Sequence, residues 1–503
     1  MSNYRHGVYT SETATTLIPT VDVESAIPLV VGTAPVNQID KPQINKPVLI
    51  NSYSEAVEAF GFQDAVAGAD GKKHFAYTLS EFMKAHFTLY ATVPVVIVNV
   101  LDPSKHRAAF DAEVDLTSGS ATVEQSGIIA STVKLTRIIP AKDGAEAQTL
   151  TFEAGADYEL AFDTDGYPVI NVLKDAQGDY KITGTVSVSG YKLDPAKVTK
   201  ADIIGGVDKD TLNNKGLECI ADVFPQLRLV PTLLLAPGFS SDPEVALVMA
   251  AKVDLINGHF KAMALVDAPA REGSVRYSDI PAWKNNKGVT AAQTIVCWPN
   301  VLVGETVYHP SVHLAGIIGV TDAARGSVPY VSPSNKSAGI TGLCLEDGTE
   351  VTLGMEQGNY LNGQGILTFN NFNNGWKAWG NRTATYPGVT DPKDAFIPVR
   401  RMFQWVSNTI ILTMWQKVDE PGNRRLVDSV VDSLNVWLNA LSADGQLLGG
   451  RIEFREDDNP TTDLMDGRYN FKVYLTPPSP AEELHFDLEI DTAYYSNLFT
   501  SAE

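Results

Sequence analysis

The chain has 503 residues, 44% of them hydrophobic and 20% charged, with 39 glycines and 28 prolines that follow no period. This is the composition of a globular protein with about two to four domains, and it excludes collagen-like and low-complexity chains. A formal net charge of −21 argues against coating nucleic acid, which asks for a basic face. It suits a soluble subunit whose copies must stay apart until they assemble.

No run approaches the roughly eighteen apolar residues of a membrane span, so no membrane insertion is expected. Arg5 and His6 lead into polar residues, so no signal peptide is expected either. Cys219, Cys297 and Cys344 are dispersed and odd in number, which predicts free thiols in a reducing cytoplasm.

Residues 1–25 read as an N-terminal arm. A short strand is expected over 5–12, with Arg5, Val8 and Tyr9 in it, and an extended stretch over 15–23 in which Pro19 prevents a helix. Residues 26–104 open an α/β unit with a buried strand at 26–33. A short helix follows with Ser54 as its cap and Gly61 as its end, then a helical pattern over 74–90 and an apolar strand over 94–101.

From 105 to 200 only short alternating runs occur, at 121–124, 133–139, 150–153, 169–172 and 184–188. They predict an inserted all-β domain that faces outward. Residues 201–390 return to α/β. Helices at 216–224, 243–256 (capped by Asp242) and 311–324 alternate with strands at 230–236, 262–267, 294–298 and 367–370. Such alternation predicts a mainly parallel sheet with right-handed crossovers. Residues 391–482 form a C-terminal α+β domain, with long helices at 399–418 and, capped by Asn423, up to Gly445.

Near the C-terminus, Tyr469, Phe471, Val473 and Leu475 alternate with polar residues, and so do Leu484, Phe486, Leu488 and Ile490. Each set makes a strand with one apolar face. Pro477, Pro478 and Pro480 lie between them and are too stiff for a two-residue turn, so the last strand, in the arm 483–503, is carried off to seek another edge. Tyr469, Phe471, Val473 and Leu475 are candidates for a receiving edge. Pro19, Pro477, Pro478 and Pro480 are candidate hinges.

Motifs for chemistry are weak. His309 and His313 stand four apart, but Pro310 between them, the missing glutamate of a zinc-protease helix and the lack of a third ligand favour a structural role. No G-x-S-x-G elbow occurs, and the glycines at 316–319 and 363–365 fit no nucleotide-binding pattern. No catalytic, cofactor or metal residue is assigned. Glu453, Glu456, Asp457 and Asp458 lack cation-loop spacing and read as a solvated loop. Lys417, Arg424 and Arg425 are either ordinary surface charge or a contact for an acidic partner.

Several segments together resemble the contractile tail sheath family of phages and phage-like injection particles. They are Arg276-Tyr277-Ser278, Pro281-Ala282-Trp283, Cys297-Trp298-Pro299-Asn300, Pro310-Ser311 through Ala315-Gly316, and Thr321-Asp322 through Arg325-Gly326. Further on, Leu361-Asn362, Trp379-Gly380-Asn381-Arg382-Thr383, Val399-Arg400-Arg401, Asp457-Asp458-Asn459-Pro460, Gly467 through Phe471 and 478–482 continue the likeness in the same order. Asn381 departs from the family's common Ala, and Ser311 lacks the usual following Gly. The likeness is best over 200–490 and hardly touches the insertion.

The resemblance implies a mechanical subunit with no cofactor. Hexameric rings of it would stack helically around an inner tube and contract on a baseplate signal, driving the tube through a cell envelope. Implied partners are further copies of the chain, the tube protein (for which Lys417, Arg424 and Arg425 are contact candidates), and baseplate and tail terminator proteins. The implied setting is a virion tail assembled in the bacterial cytoplasm, or a domesticated particle. Both terminal arms would pair with sheet of neighbouring subunits. The rival readings are a protease-like α/β hydrolase and an S-layer-type shell protein.

Overall fold

A computed structural model describes residues 18–21, 23–139, 148–163, 166–173 and 184–498. The arm strand expected around Arg5, Val8 and Tyr9 lies outside them. The core is an eight-stranded sheet made of β1 (Pro28–Gly32), β2 (Val48–Ile50), β3 (Val95–Asn99), β4 (Leu233–Leu235), β5 (Met263–Asp267), β6 (Thr294–Cys297), β7 (Ile366–Asn371) and β8 (Trp376–Trp379). Their order across the sheet is β2-β3-β1-β4-β5-β6-β7-β8. The six inner strands run parallel, and β2 and β8 close the two edges antiparallel.

The sheet is parallel because its strands are short apolar runs with helices between them. All five residues of β3 are buried, as are all five of β5, so both faces must be covered. Helix α1 (Thr78–Met83) packs on β1, while α2 (Pro243–Asp254) and α3 (Pro310–Ala323) pack on β4 and β5. Asp242 caps α2 by accepting from the Glu244 N–H at 2.9 Å. Helix α3 is apolar on nearly every side and is buried nearly throughout, which is the mark of a core helix. Gly316 is required on it, because a Cβ there would stand 2.2 Å from the ring of Tyr90.

Several local expectations need correction. The first short helix runs Tyr53–Phe60 and is capped by Ser52, not Ser54, because the Ser52 hydroxyl reaches the Glu55 N–H. The pattern over 74–90 is not one helix. Lys73–His74 is a strand in a second, six-stranded sheet that ties Val66–Ala67 to strands between Asn300 and Val351, and the helix begins at Thr78. It passes into π-helical turns over Lys84–Tyr90. The long helix expected to reach 418 ends its α-helical course at Met414.

Between Arg107 and Leu193 the described residues build two antiparallel sheets. One holds Arg107–Leu116, Gly184–Leu193, Lys134–Ile139 and Gln148–Phe152; the other holds Tyr158–Phe162, Pro168–Val172 and Ser120–Thr122. They enclose a core of their own that includes Phe110, Leu135, Phe152, Ile170 and Val186. Ile129 and Leu193 pack instead into the main core. Two of these strands, Arg107–Leu116, with Asp111, Glu113 and Asp115 alternating along it, and Tyr158–Phe162, were hidden in the sequence as turn-rich surface.

The C-terminal part consists of α4 (Ile397–Met414), α5 (Arg424–Ala443) and an antiparallel pair, β9 (Gly449–Phe454) and β10 (Phe471–Thr476). Asn423 caps α5 by accepting from the Leu426 N–H at 3.0 Å. Met402, Trp405, Val406, Leu438 and Leu441 make the seam between the two helices.

Candidate assembly interface

Strands β9 and β10 form a sheet with one blocked edge and one open edge. Helix α5 lies along β9, and the side-chain amide of Asn435 closes on Ile452: Oδ1 accepts its N–H at 2.9 Å and Nδ2 donates to its carbonyl at 3.2 Å. The main-chain groups of Ile452 therefore point away from β10. Ile452 faces Val473 in register, so this is a non-hydrogen-bonded pair, and alternation makes Phe471 and Leu475 the same. The N–H and C=O groups of Phe471, Val473 and Leu475 thus point to the free side of β10, where no strand pairs with them among the described residues. An unpaired strand edge of this kind is a template for another strand.

Side chains on the two faces of this edge differ. Phe471 and Val473 turn toward the helices, where Ile410, Met414, Val418, Leu426, Val430 and Leu434 line an apolar groove of ≈ 450 Å³. Lys472 and Tyr474 turn the other way, with the Arg451 guanidinium 4.1 Å above the Tyr474 ring and Arg455 Nη1 donating to its hydroxyl at 3.0 Å. Tyr469 lies before the strand, because Asn459 takes up both the N–H and the carbonyl of Asn470 and ends the pairing there. It lines the groove without belonging to the edge.

Beyond β10 the chain leaves the body. Pro477 is buried, whereas Leu484, Phe486, Leu488 and Ile490 are 73–97% exposed. This stretch has the sequence of an amphipathic strand but no regular structure in the single chain, since no edge within it is in use. Its root is held at Glu482, whose carboxylate takes both Nε (3.1 Å) and Nη2 of Arg382. The Arg382 guanidinium is in turn stacked over Phe396 (3.7 Å) and Tyr386 (4.4 Å).

The N-terminal root is also held. The Ile18 N–H donates to Ser433 Oγ at 2.8 Å, the Val21 N–H to Thr413 Oγ1 at 3.0 Å, and Trp405 Nε1 to the Val23 carbonyl at 2.8 Å. Arg401 forms a buried pair with Asp322 through both carboxylate oxygens, and it also donates to the Ser25 carbonyl at 2.9 Å, while the Ser25 hydroxyl donates to Asp322 at 2.6 Å. Pro19 itself is exposed, but the residues around it are anchored on α4 and α5.

The remaining candidates separate. His309 and His313 do not converge on a common point. His309 Nδ1 lies 2.8 Å from Glu81, and His313 Nδ1 lies 2.8 Å from the Tyr90 hydroxyl. Burial works against a charged His309, but Glu81 overrides it and raises the imidazole to about 9; burial alone pushes His313 down to about 3. Among the described residues, no group of three His, Cys, Asp or Glu is arranged to hold a metal. The three cysteines are buried and free. Lys284 is buried with no carboxylate partner among the described residues, and its Nζ donates to the carbonyls of Gln364, Ala384 and Tyr386 at 2.5–2.7 Å, pinning two loops. Lys417 borders the apolar groove, Arg424 pairs with Asp428 at 2.8 Å, and Arg425 is exposed.

Sequence reasoning missed β9, although Ile452 and Phe454 alternate with charged residues after Gly449-Gly450. Arg382, Asp322 and Arg401 stood within quoted landmarks without a role. Their partners lie 100 and 79 positions away, beyond the reach of local pattern.

The described residues thus combine an α/β body, a strand edge with no strand paired to it and an exposed stretch with alternating apolar residues. No protein-family model matches the chain. The tail sheath protein of Burkholderia phage BcepMu is 28% identical over 510 residues, covering 99% of both chains. The tail sheath protein of Escherichia phage P2 is 25% identical over 316 residues, 60% of this chain and 74% of that one. Among solved structures, the sheath complex of the extracellular contractile injection system PVC, in its contracted state, matches with a TM-score of 0.58 at 17% identity, covering 98% of this chain and 99% of that one. The contracted helical sheath of the anti-feeding prophage matches at 0.55 and 17%, over 96% and 99%. The chain is thus a homologue of phage tail sheath proteins and shares the fold of the sheath subunits of contractile particles.

Proposed function

We propose that this chain is the structural subunit of a contractile tail sheath, joined to its neighbours by strand exchange at β10. The observation that carries this reading is the presence, in one chain, of an open edge and an unpaired strand that fit each other. The whole-length relationship to a phage tail sheath protein supports it, and gives no support to a hydrolase or a flat-lattice shell.

In this reading the arm strand of one copy lies along Phe471–Thr476 of another. Its apolar row, Leu484, Phe486, Leu488 and Ile490, covers the groove between α4, α5 and the sheet. Its acidic row, Asp487, Glu489 and Asp491, then falls beside Lys472 and Arg451 on the opposite face. Each main-chain hydrogen bond contributes about 0.5–1.5 kcal/mol, and each apolar side chain buried about 1.5–3 kcal/mol, so the link survives rotation of the bodies it joins.

Among the described residues, the last tie of the C-terminal arm to the body is at Glu482, downstream of the proposed hinge at Pro477, Pro478 and Pro480. Around Pro19 the described residues Ile18, Val21 and Val23 are tied to α4 and α5, which argues against a hinge at Pro19 itself. We assign the residues before 26 and after 482 to coupling arms, 26–104 with 201–390 to the body, 391–482 to the tube-proximal part and 105–200 to an outward decoration. Hexameric rings, an inner tube met by Lys417, Arg424 and Arg425, and baseplate and terminator partners complete the assembly, in a virion tail or a phage-derived particle.

Truncation after Ala481 tests the reading. The shortened chain should fold with unchanged circular dichroism and melting temperature, and electron microscopy should show no tubes of stacked rings. Normal sheaths from that protein would overturn the arm assignment.

A further inference from the structure

The arm and the edge it fits belong to the same chain, which raises a problem of self-capture. Seven residues, 477–483, separate the end of β10 from Leu484. A link of that length is long enough to return a strand beside the one it leaves. The effective concentration of a tethered strand is on the order of millimolar, so a free arm would occupy its own edge before a neighbour reached it. A subunit closed in this way would have neither an edge nor an arm to offer.

We propose that Arg382 and Glu482 form a clamp that prevents this self-capture by fixing the direction in which the arm leaves the body. The inference rests on the strand-exchange reading above. Three observations support it. Between 477 and 491 this ion pair is the one side-chain hydrogen-bonded tie to the body among the described residues. Both ends of the carboxylate are engaged, and the guanidinium is packed against two aromatic rings, so the pair is preorganised where an ordinary surface pair is not. The clamp sits two residues before Leu484, and the buried Pro477 with Pro478 and Pro480 stiffens the path up to it. A chain fixed at Glu482 cannot swing Leu484 back along its own β10.

Clamping leaves the arm fully displayed, as the exposure of 483–495 shows. It also makes display sensitive to salt, because exposed ion pairs are screened at high ionic strength. A subunit stored in molar salt should close on itself and reopen on dilution.

The experiment is hydrogen exchange on the dilute full-length chain, with sheath assembly followed by light scattering. Glu482→Gln removes the charge at an exposed position and leaves Arg382 stacked on its rings. In that variant the amides of Phe471, Val473, Leu475 and 484–490 should gain protection of tenfold or more while the chain is monomeric, and assembly should slow by a similar factor. The exchanged pair Arg382→Glu with Glu482→Arg should recover a large part of the wild-type rate. Unchanged protection and unchanged assembly in Glu482→Gln would overturn the clamp. The truncation after Ala481 separates the two ideas: if it abolishes tubes while Glu482→Gln behaves as wild type, strand exchange stands and the clamp alone fails.

Discussion

The central sheet and the C-terminal strand pair use the same material to opposite ends. In the sheet, six parallel strands are covered on their faces, and both edges are finished by antiparallel strands of the same chain. In the strand pair, one edge is finished by a side chain, Asn435, and the other is left open beside an apolar groove. The apolar residues of β3 and β5 stabilise the fold. Those of the arm are exposed in the single chain, and in the strand-exchange reading their free energy is held for association.

Substitutions should separate these two roles. The largest loss in the free chain is expected from Arg401→Ala, which leaves Asp322 buried without its partner and should cost about 3–5 kcal/mol in denaturant unfolding. It should also loosen residues 18–25 to proteolysis, since Arg401 and Asp322 both hold Ser25.

Acid acts next. His86 and His313 are held neutral by burial, each pushed from 6.5 to about 3, so the unfolded chain takes up protons first as pH falls. Stability present above pH 6.5 should fall by about 1.4 kcal/mol per histidine for each pH unit below it, seen as a steep drop in melting temperature between pH 6.5 and 5. A flat profile there would mean that these rings are not closed off from water.

Asn435→Ala should cost about 1–3 kcal/mol by stranding the main-chain groups of Ile452. It also opens the second edge, so irregular aggregates should accompany tubes under the microscope. Leu488→Asp is the smallest change to the monomer, within about 0.5 kcal/mol, because the residue is 97% exposed. It should nevertheless abolish or strongly weaken sheath formation, measured by sedimentation. If Leu488→Asp assembled normally, the contrast between the two regions would collapse.

Much of the sheet was legible in the sequence because each strand is a short apolar run, and the caps Asp242 and Asn423 mark the starts of α2 and α5. The second sheet was not, since it joins Lys73–His74 to Thr306–Tyr308 across more than two hundred residues. Tyr469 was misplaced because alternation continues past the point where Asn459 stops the pairing. Ser52 won the cap over Ser54 by the geometry of one hydroxyl.

By itself, the sequence determined that the last strand is amphipathic and is carried off by prolines, because alternation and a fixed φ are local properties. Tertiary structure alone decided which edge stays open, because that depends on Asn435 reaching from α5 to Ile452. It also decided where the arm becomes free, because Arg382 meets Glu482 only after the chain has folded a hundred residues back on itself.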